Sequence, residues 1–407
     1  MYSKVENFEL IKYKSGLIKS LENKISVTNK LLAIVKDELI PYRIKDKWGF
    51  CLKDKRIVIE CQYQEVHFYF ENLAGVKKED KWGFIDETGN EIISCQYEQI
   101  YAFVEGYGLV KENGVWGYID RNGTKKIECK YSSTYVFENG LAYVSIYGEW
   151  GFINKNGIEV IKCKYDWIDG FEDGLAVVES GNKFGYIDLI GNEVIALTFD
   201  DAHRFTNGLA VVEEESNYFL INKDGKKVRS LEYGKVGFFK EGFAVVELNE
   251  KSGFINSDGD LTIPLKYDYA KGFNNGLSEV FMFDSYFFKY GYVDKNGNQV
   301  IPCIFDGAFP FVSDGQFAKV RMNHKMGFID RTGNQVVPCV YDVLDNFYDE
   351  LAKFKINNKC GYIDKTGKVV IEAIYDEAEA FIDGIAKVKF NGQYGYINKE
   401  GEQYWED

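Results

Sequence analysis

The chain has 407 residues, of which 45% are apolar, 28% charged and 16% aromatic, with 49 Lys and Arg against 63 Asp and Glu for a net charge of −14. This is the composition of a folded chain rather than a disordered one. The acidic balance excludes a general electrostatic grip on nucleic acid, which needs clustered Lys and Arg.

In chain order, the opening "MYSKVENFELIKYKSG" has no apolar run of signal-peptide type. No stretch approaches the roughly 18 apolar residues of a membrane span. The expected compartment is the cytoplasm, with no membrane partner. Ile18, Leu21, Ile25, Thr28, Leu32, Val35 and Leu39 then follow one another in alternating steps of 3 and 4. That spacing predicts a helix with one apolar stripe, ended by Pro41. Residues 1–44 are accordingly read as a helical segment that caps the first repeat. The alternative is a segment that pairs with a second copy, giving a homo-oligomer.

Residues 45–407 repeat. Trp48, Trp82, Trp116 and Trp150 stand 34 apart, and the phase continues through Phe184, Tyr218 and Ser252. Steps of 38 and 36 reach Tyr290 and Met326, and two more of 34 reach Cys360 and Tyr394, making eleven copies. A glycine follows in ten of them, and Phe219 takes its place in the sixth. Each copy holds three short runs rich in Val, Ile, Phe and Tyr, such as "GLAVV" (Gly174–Val178), "KWGFID" (Lys81–Asp86) and "GNEVIALTF" (Gly191–Phe199). Turn residues separate them, which predicts three antiparallel strands per copy.

The turn between the second and third runs is Asp/Asn-x-x-Gly, as in Asp86–Gly89 and Asn222–Gly225. The side chain there can accept a backbone N–H two residues on, and the glycine takes the left-handed conformation. The spaced acids and closing Glu of a calcium loop are missing. In Lys81–Asp86 both faces are apolar, so the strand is expected to be covered on both sides. Gly83 inside that strand implies a close approach, expected from an aromatic ring of a neighbouring strand or repeat.

One position in the third run reads Cys61, Cys95, Cys129, Cys163, Leu197, Leu231, Leu265, Cys303, Cys339 and Ala373 down the copies. Leucine and alanine bind no metal and form no disulfide, so their interchange with cysteine points to a small apolar slot. Neither a Cys-x-x-Cys nor a nearby histidine at zinc-ligand spacing is present, and no metal or cofactor is expected. Pro264, Pro302 and Pro338 each precede this position. Proline donates nothing to a ladder, so this strand is expected at a sheet edge.

Two places break the pattern. Between Gly276 and Gly291 there are four more residues than between Gly174 and Gly185. Four is even, so a hairpin can lengthen by two residues per strand without exchanging its faces. The added region, "FMFDSYFF", offers Phe281, Phe283, Tyr286, Phe287 and Phe288 as either a partner-binding patch or a local plug. Of the three histidines, His67 and His203 share a repeat phase four repeats apart and His324 falls at a hairpin turn before Met326; each reads as a surface or loop residue and not a catalyst. Nucleophile-elbow, zinc-protease and phosphate-loop motifs are all missing.

Trp-Gly-Phe/Tyr-Ile-Asp-x-x-Gly, Ile-x-Cys-x-Tyr and Phe-x-x-Gly-Leu-Ala-x-Val together resemble the WG (KWG) β-repeat family, from about Lys45 to the end. The resemblance implies a repeat scaffold, often bacterial, whose repeat defines no catalytic residues. Eleven copies exceed the four to eight blades of typical propellers. The expected fold is therefore all-β, an open superhelical array of three-stranded antiparallel units behind an N-terminal helical segment; a propeller-like closed ring is the alternative. The expected function is a non-enzymatic interaction scaffold for protein or peptide partners. A glycan or cell-surface ligand module comes second, and an enzyme with a site on the irregular repeats third. The packing reading of the cysteines predicts that thiol titration of denatured, unreduced protein counts eight free thiols; a count of six or fewer refutes it.

Overall fold

The computed structural model describes residues 39–284, 287–311 and 315–407. The helix expected at Ile18–Leu39 lies outside the described residues, apart from Leu39. The boundary at residue 44 is corrected: Ile40–Ile44 is already a strand, with Pro41 opposite Phe50. The described chain divides into two compact units. One runs through Thr198 and takes in Gln403–Asp407, and the other is Phe199–Glu402.

In the first unit, the second sheet shows the repeat. Its strands Glu65–Phe70, Leu73–Lys78, Lys81–Asp86 and Glu91–Tyr97 form an antiparallel meander in chain order. The unit is thus four-stranded, not three-stranded. The first strand escapes a pattern search because it shrinks to two residues in several sheets, Ser133–Thr134 and Trp167–Ile168 among them. The proline-bearing run is an edge strand, as expected. The first sheet combines Ile40–Ile44, Lys47–Cys51 and Ile57–Tyr63 with the end of the chain, Trp405–Glu406, which pairs parallel to Ile40–Ile44. The Tyr42 hydroxyl donates to Glu406 at 2.9 Å, and Arg43 reaches Asp407 at 3.0 Å. First and last strands therefore share one sheet. This corrects the open array and matches the propeller-like alternative.

The second unit continues with the same meander. Among the described residues, the last sheet, Glu377–Ala378, Ile385–Phe390 and Gln393–Asn398, has three strands. The hairpin of Leu277–Asp284 and Phe287–Asp294 lengthens to eight residues per strand with its register kept from Leu277↔Asp294 to Asp284↔Phe287.

The repeat glycine answers to backbone, not to a ring. In the fourth sheet Trp150 faces Tyr165 and Phe152 faces Ile161, so a bulge lies opposite Gly151. A Cβ on Gly151 would stand 2.4 Å from the Ile161 carbonyl oxygen and 2.7 Å from the Cys163 nitrogen. The bulge also places the Cys163 thiol to donate to the Val144 carbonyl at 3.7 Å. The sixth sheet is the natural control. Phe219 replaces the glycine there and simply faces Ser230, with no bulge at that point, and Leu231 instead of an aromatic faces Tyr218.

Within each unit, consecutive sheets bury one face each against the next. Trp82, Phe84, Ile93 and Tyr97 of the second sheet pack on Ile100, Phe103, Val110 and Ile119 of the third. Leu109, Tyr118, Ile127 and Tyr131 of the third pack on Phe137, Ala142, Val144 and Ile153 of the fourth. In the second unit, Leu220 and Leu231 meet Val236, Phe239 and Val246 in the same way. Burial of each such large side chain stabilises by about 1.5–3 kcal/mol. Each of these clusters draws on two successive sheets.

The turns hold as expected. Asp86 Oδ1 accepts the Thr88 and Asn90 N–H groups, each at 2.9 Å, and Gly89 takes φ +85°. Hydrogen bonds from Thr88 and Asn90 lower the Asp86 pKa to about 2. Asp364, bonded likewise by Thr366, is also held below the ordinary carboxylate range.

Two predictions follow from these contacts. Gly151→Ala, blocked by backbone, is expected to cost about 3 kcal/mol. Gly148→Ala, with nothing within 4 Å but φ +92°, is expected to cost about 1 kcal/mol; urea midpoints compare the two. The depressed carboxylates stabilise the fold above their unfolded pKa of roughly 4. That contribution drains away as pH falls toward about 2, so the melting temperature should drop across that window. Asp86→Asn should keep the turn, as Asn154 does with its 3.0 Å bond from Asn156 N–H, and flatten the Asp86 share of the slope.

Candidate functional site

Most acids near the strand ends are committed to structure. Asp166 accepts from Gly181 N–H at 2.7 Å, and Asp268 accepts from Phe283 N–H at 2.8 Å while pairing with Lys251 at 2.6 Å. Each clasps the hairpin between the second and third strands of the following sheet. At the opposite end, Glu105 accepts from Asn139 and Gly140 N–H at 2.7 and 3.0 Å and pairs with Lys155 at 3.1 Å. Glu241 repeats this with Asn275, Gly276 and Lys295. These carboxylates tie one repeat to the next and are unavailable for chemistry.

All eight cysteines carry free thiols. Cys51 and Cys360 are buried, and the six at the bulge position are half-buried rather than enclosed. Burial pushes the Cys51 thiol up to about 12 and raises the Cys95 and Cys163 thiols, the opposite of an activated nucleophile. Among the described residues, no group of three or more His, Cys, Asp and Glu could hold a metal ion.

Exposed rings gather along the first-strand edge. In the first unit, His67, Tyr101, Tyr135 and Trp167 stand exposed there on four successive sheets; Tyr101 is 56% exposed, Tyr135 60% and Trp167 42%. Three of these rings rest on the repeat tryptophan: His67 on Trp82 at 4.3 Å, Tyr101 on Trp116 at 5.5 Å and Tyr135 on Trp150 at 6.0 Å. Trp82 is buried, while Trp116 and Trp150 are half-buried beneath their partners. The Tyr118 hydroxyl donates to the Tyr135 carbonyl at 2.7 Å, pinning the backbone that carries the outer ring.

Sequence reasoning missed this row. The single repeat phase of His67, Tyr101, Tyr135, Asp169, His203 and Gly237 holds no constant ring. In the fifth sheet the ring comes from two residues earlier, as Trp167. A window of three or four residues, rather than one column, would have found it.

The second unit carries exposed Phe238, Tyr269 and Phe309 at its own first-strand edge. Charge is mixed in: Lys319 lies over Phe309 at 5.3 Å, and Lys353 pairs with Asp345 at 2.8 Å. Glu279 is 2% exposed, 3.7 Å from Lys271, and its Oε1 accepts no hydrogen bond; burial raises its pKa. Burial lowers the pKa of His203, opposed by Asp201 and Glu213. His324 sits in a hairpin turn at φ 61°.

Of the residues singled out on the long hairpin, Phe281 packs on Tyr290 at 4.9 Å and Phe283 is exposed beside Met282. Phe287 and Phe288 lie in its return strand, facing Asp284 and Phe283 in register. Tyr286 lies outside the described residues. The Asp268 clasp grips Phe283, so the two added residues per strand extend beyond the point where other hairpins turn.

Antiparallel sheets in chain order, most of them four-stranded and most carrying a glycine in the third strand pressed by the backbone of the fourth, define a β-repeat protein. The chain belongs to the family described as WG containing repeat, whose pattern matches residues 48–82, 82–116, 116–150, 150–184, 184–218, 218–251, 253–282, 290–325, 326–360 and 361–394. No curated protein matches it in sequence. Among solved structures it is similar to a eukaryotic initiation factor, with 11% identity over 90% of this chain and 94% of that one at a TM-score of 0.36. It is also similar to Kluyveromyces lactis Hsv2, with 10% identity over 65% and 93% at 0.33. A third likeness is to the dihydro-heme d1 dehydrogenase NirN, with 10% identity over 74% and 72% at 0.30.

Proposed function

We propose that this chain is a non-enzymatic interaction scaffold that holds protein or peptide partners on its first-strand edges. The observation that carries this reading is the row of His67, Tyr101, Tyr135 and Trp167, one exposed ring on each of four successive sheets. Large rings left in water on a chain with so much core to bury them in mark a contact surface. The clasping and tying acids are spent on holding turns, and burial raises the thiols away from nucleophilic form. Phe283 and Met282 on the long hairpin are a further contact point of the same chemistry. The thiols suit a reducing cytoplasm. A glycan-binding module would draw on the same rings and is the second reading.

A photo-crosslinking residue placed at 101, 135 or 194 in full-length protein tests the surface. Val194 is exposed, but on a fourth strand. Positions 101 and 135 are expected to capture the same protein partner in host extract, and 194 none. Capture as strong from 194 would refute the assignment of the edge.

A further inference from the structure

We infer that the outer strands of the eighth, ninth and tenth sheets form a face on which a second copy of this chain docks about a two-fold axis. This face lies in the second unit and is independent of the ring-bearing edge of the first.

The repeat supplies its own comparison. Alternate residues of a fourth strand point away from the packed face. In the third sheet, on Lys125–Tyr131, these are Lys126, Glu128 and Lys130, all exposed. In the fourth, on Glu159–Tyr165, exposed Lys162 and Lys164 follow half-buried Val160. The eighth sheet holds Val300, Pro302 and Ile304 at the same positions of Gln299–Phe305, all exposed. On Gln335–Tyr341 of the ninth, half-buried Val336 is followed by exposed Pro338 and Val340. On Val369–Tyr375 of the tenth, exposed Val370 and Ile374 flank Glu372. Ile304 is 49% exposed, Val340 45% and Ile374 43%. Single apolar residues recur elsewhere, as Val58 and Ile92 do, but beside Glu60 and Ser94. A contiguous apolar face on three successive sheets, at positions where sister sheets show charge to water, marks an interface.

The three rows adjoin one another. A Cβ on Gly333 would stand 3.1 Å from Ile301 Cγ2, and one on Gly367 3.3 Å from the Val336 carbonyl oxygen. The turn leading into each fourth strand therefore rests on the fourth strand before it. Pro302 and Pro338 donate no N–H, which blunts these edges against strand addition. Contact must run through side chains, and proline and β-branched side chains lose little freedom when covered.

Charge selects the occupant. The chain carries a net charge of −14, so two copies repel wherever acid meets acid. At the ends of these three strands, Asp306, Asp342 and Asp376 are bound by Lys289, Lys325 and Lys359. Glu372 is then the one charge on the face itself. A two-fold axis at Pro338 sets Val300 against Ile374 of the second copy, Ile304 against Val370, and Glu372 against Pro302. Acid never meets acid there, and the face is complementary to itself, as an isologous contact requires. A lipid surface would call for Lys, Arg and rings, which the face lacks.

The test is the mass of the full-length protein by light scattering over a concentration series. Twice the mass of one chain is expected. Val340→Lys and, separately, Ile304→Lys should each weaken the dimer about tenfold or more, with circular dichroism unchanged; Lys130→Ala should leave it intact. Val300→Lys and Ile374→Glu should each weaken it alone, and mixing the two chains should restore a dimer with one of each. A chain that stays monomeric at its highest soluble concentration would overturn the inference. So would a dimer indifferent to Val340→Lys and Ile304→Lys but lost on combined Ile25→Asp and Leu32→Asp, which would move the contact to the N-terminal stripe. Failure of the mixed pair to associate would overturn the two-fold arrangement and with it the inference.

Discussion

The architecture depends on backbone meeting backbone. In the four-stranded sheets that keep the repeat glycine, the bulge in the fourth strand presses against the third strand where a side chain would ordinarily stand, and only a missing Cβ makes room. At Gly83 the intruding atoms are the Ile93 carbonyl oxygen, the Ser94 carbonyl carbon and the Cys95 nitrogen, within 2.4–2.7 Å of where a Cβ would lie. The bulge adds local twist and re-aims the residues around it. It leaves Ile93 and Tyr97 on the face that meets the next sheet and the cysteine over the glycine. The sixth sheet shows the coupling from the other side: when Phe219 fills the space, the bulge opposite it is gone.

Packing between sheets follows from that geometry. Within each unit a sheet packs its apolar face on the next, so the stabilising surface belongs to pairs of sheets. The hydrogen bonds run the same way. A carboxylate in one repeat holds turn N–H groups in the next, and the Tyr118 and Tyr292 hydroxyls reach the Tyr135 and Phe309 carbonyls one sheet on, at 2.7 and 2.8 Å. A framework that spends many of its acids and hydroxyls on holding itself together leaves exposed ring faces along one edge of the first unit. The functional reading grows out of that division.

Much of this was legible in the residues. The 34-residue period, the Asp/Asn-x-x-Gly turns, the edge position of the proline-bearing strand and the even lengthening of the long hairpin all come from local rules. Turn chemistry and strand alternation act over a few residues and leave marks in sequence. Other features were not legible. A two-residue strand such as Trp167–Ile168 is too short to show alternation. The visitor to the glycine reads as a ring in sequence because sequence shows side chains and hides a bulge. The clasping role of Asp166 and Asp268 depends on which turn folds over them.

Sequence by itself determined the repeat, its turns, the interchangeability of cysteine with leucine and the family, because each is a pattern of residue types at fixed spacing. Tertiary structure decided that the unit has four strands, that Trp405–Glu406 returns to the sheet of Ile40–Ile44, and that rings from different phases share one exposed edge. These are pairings and exposures across space. They depend on which surfaces the packed sheets cover, and no run of neighbouring residues encodes them.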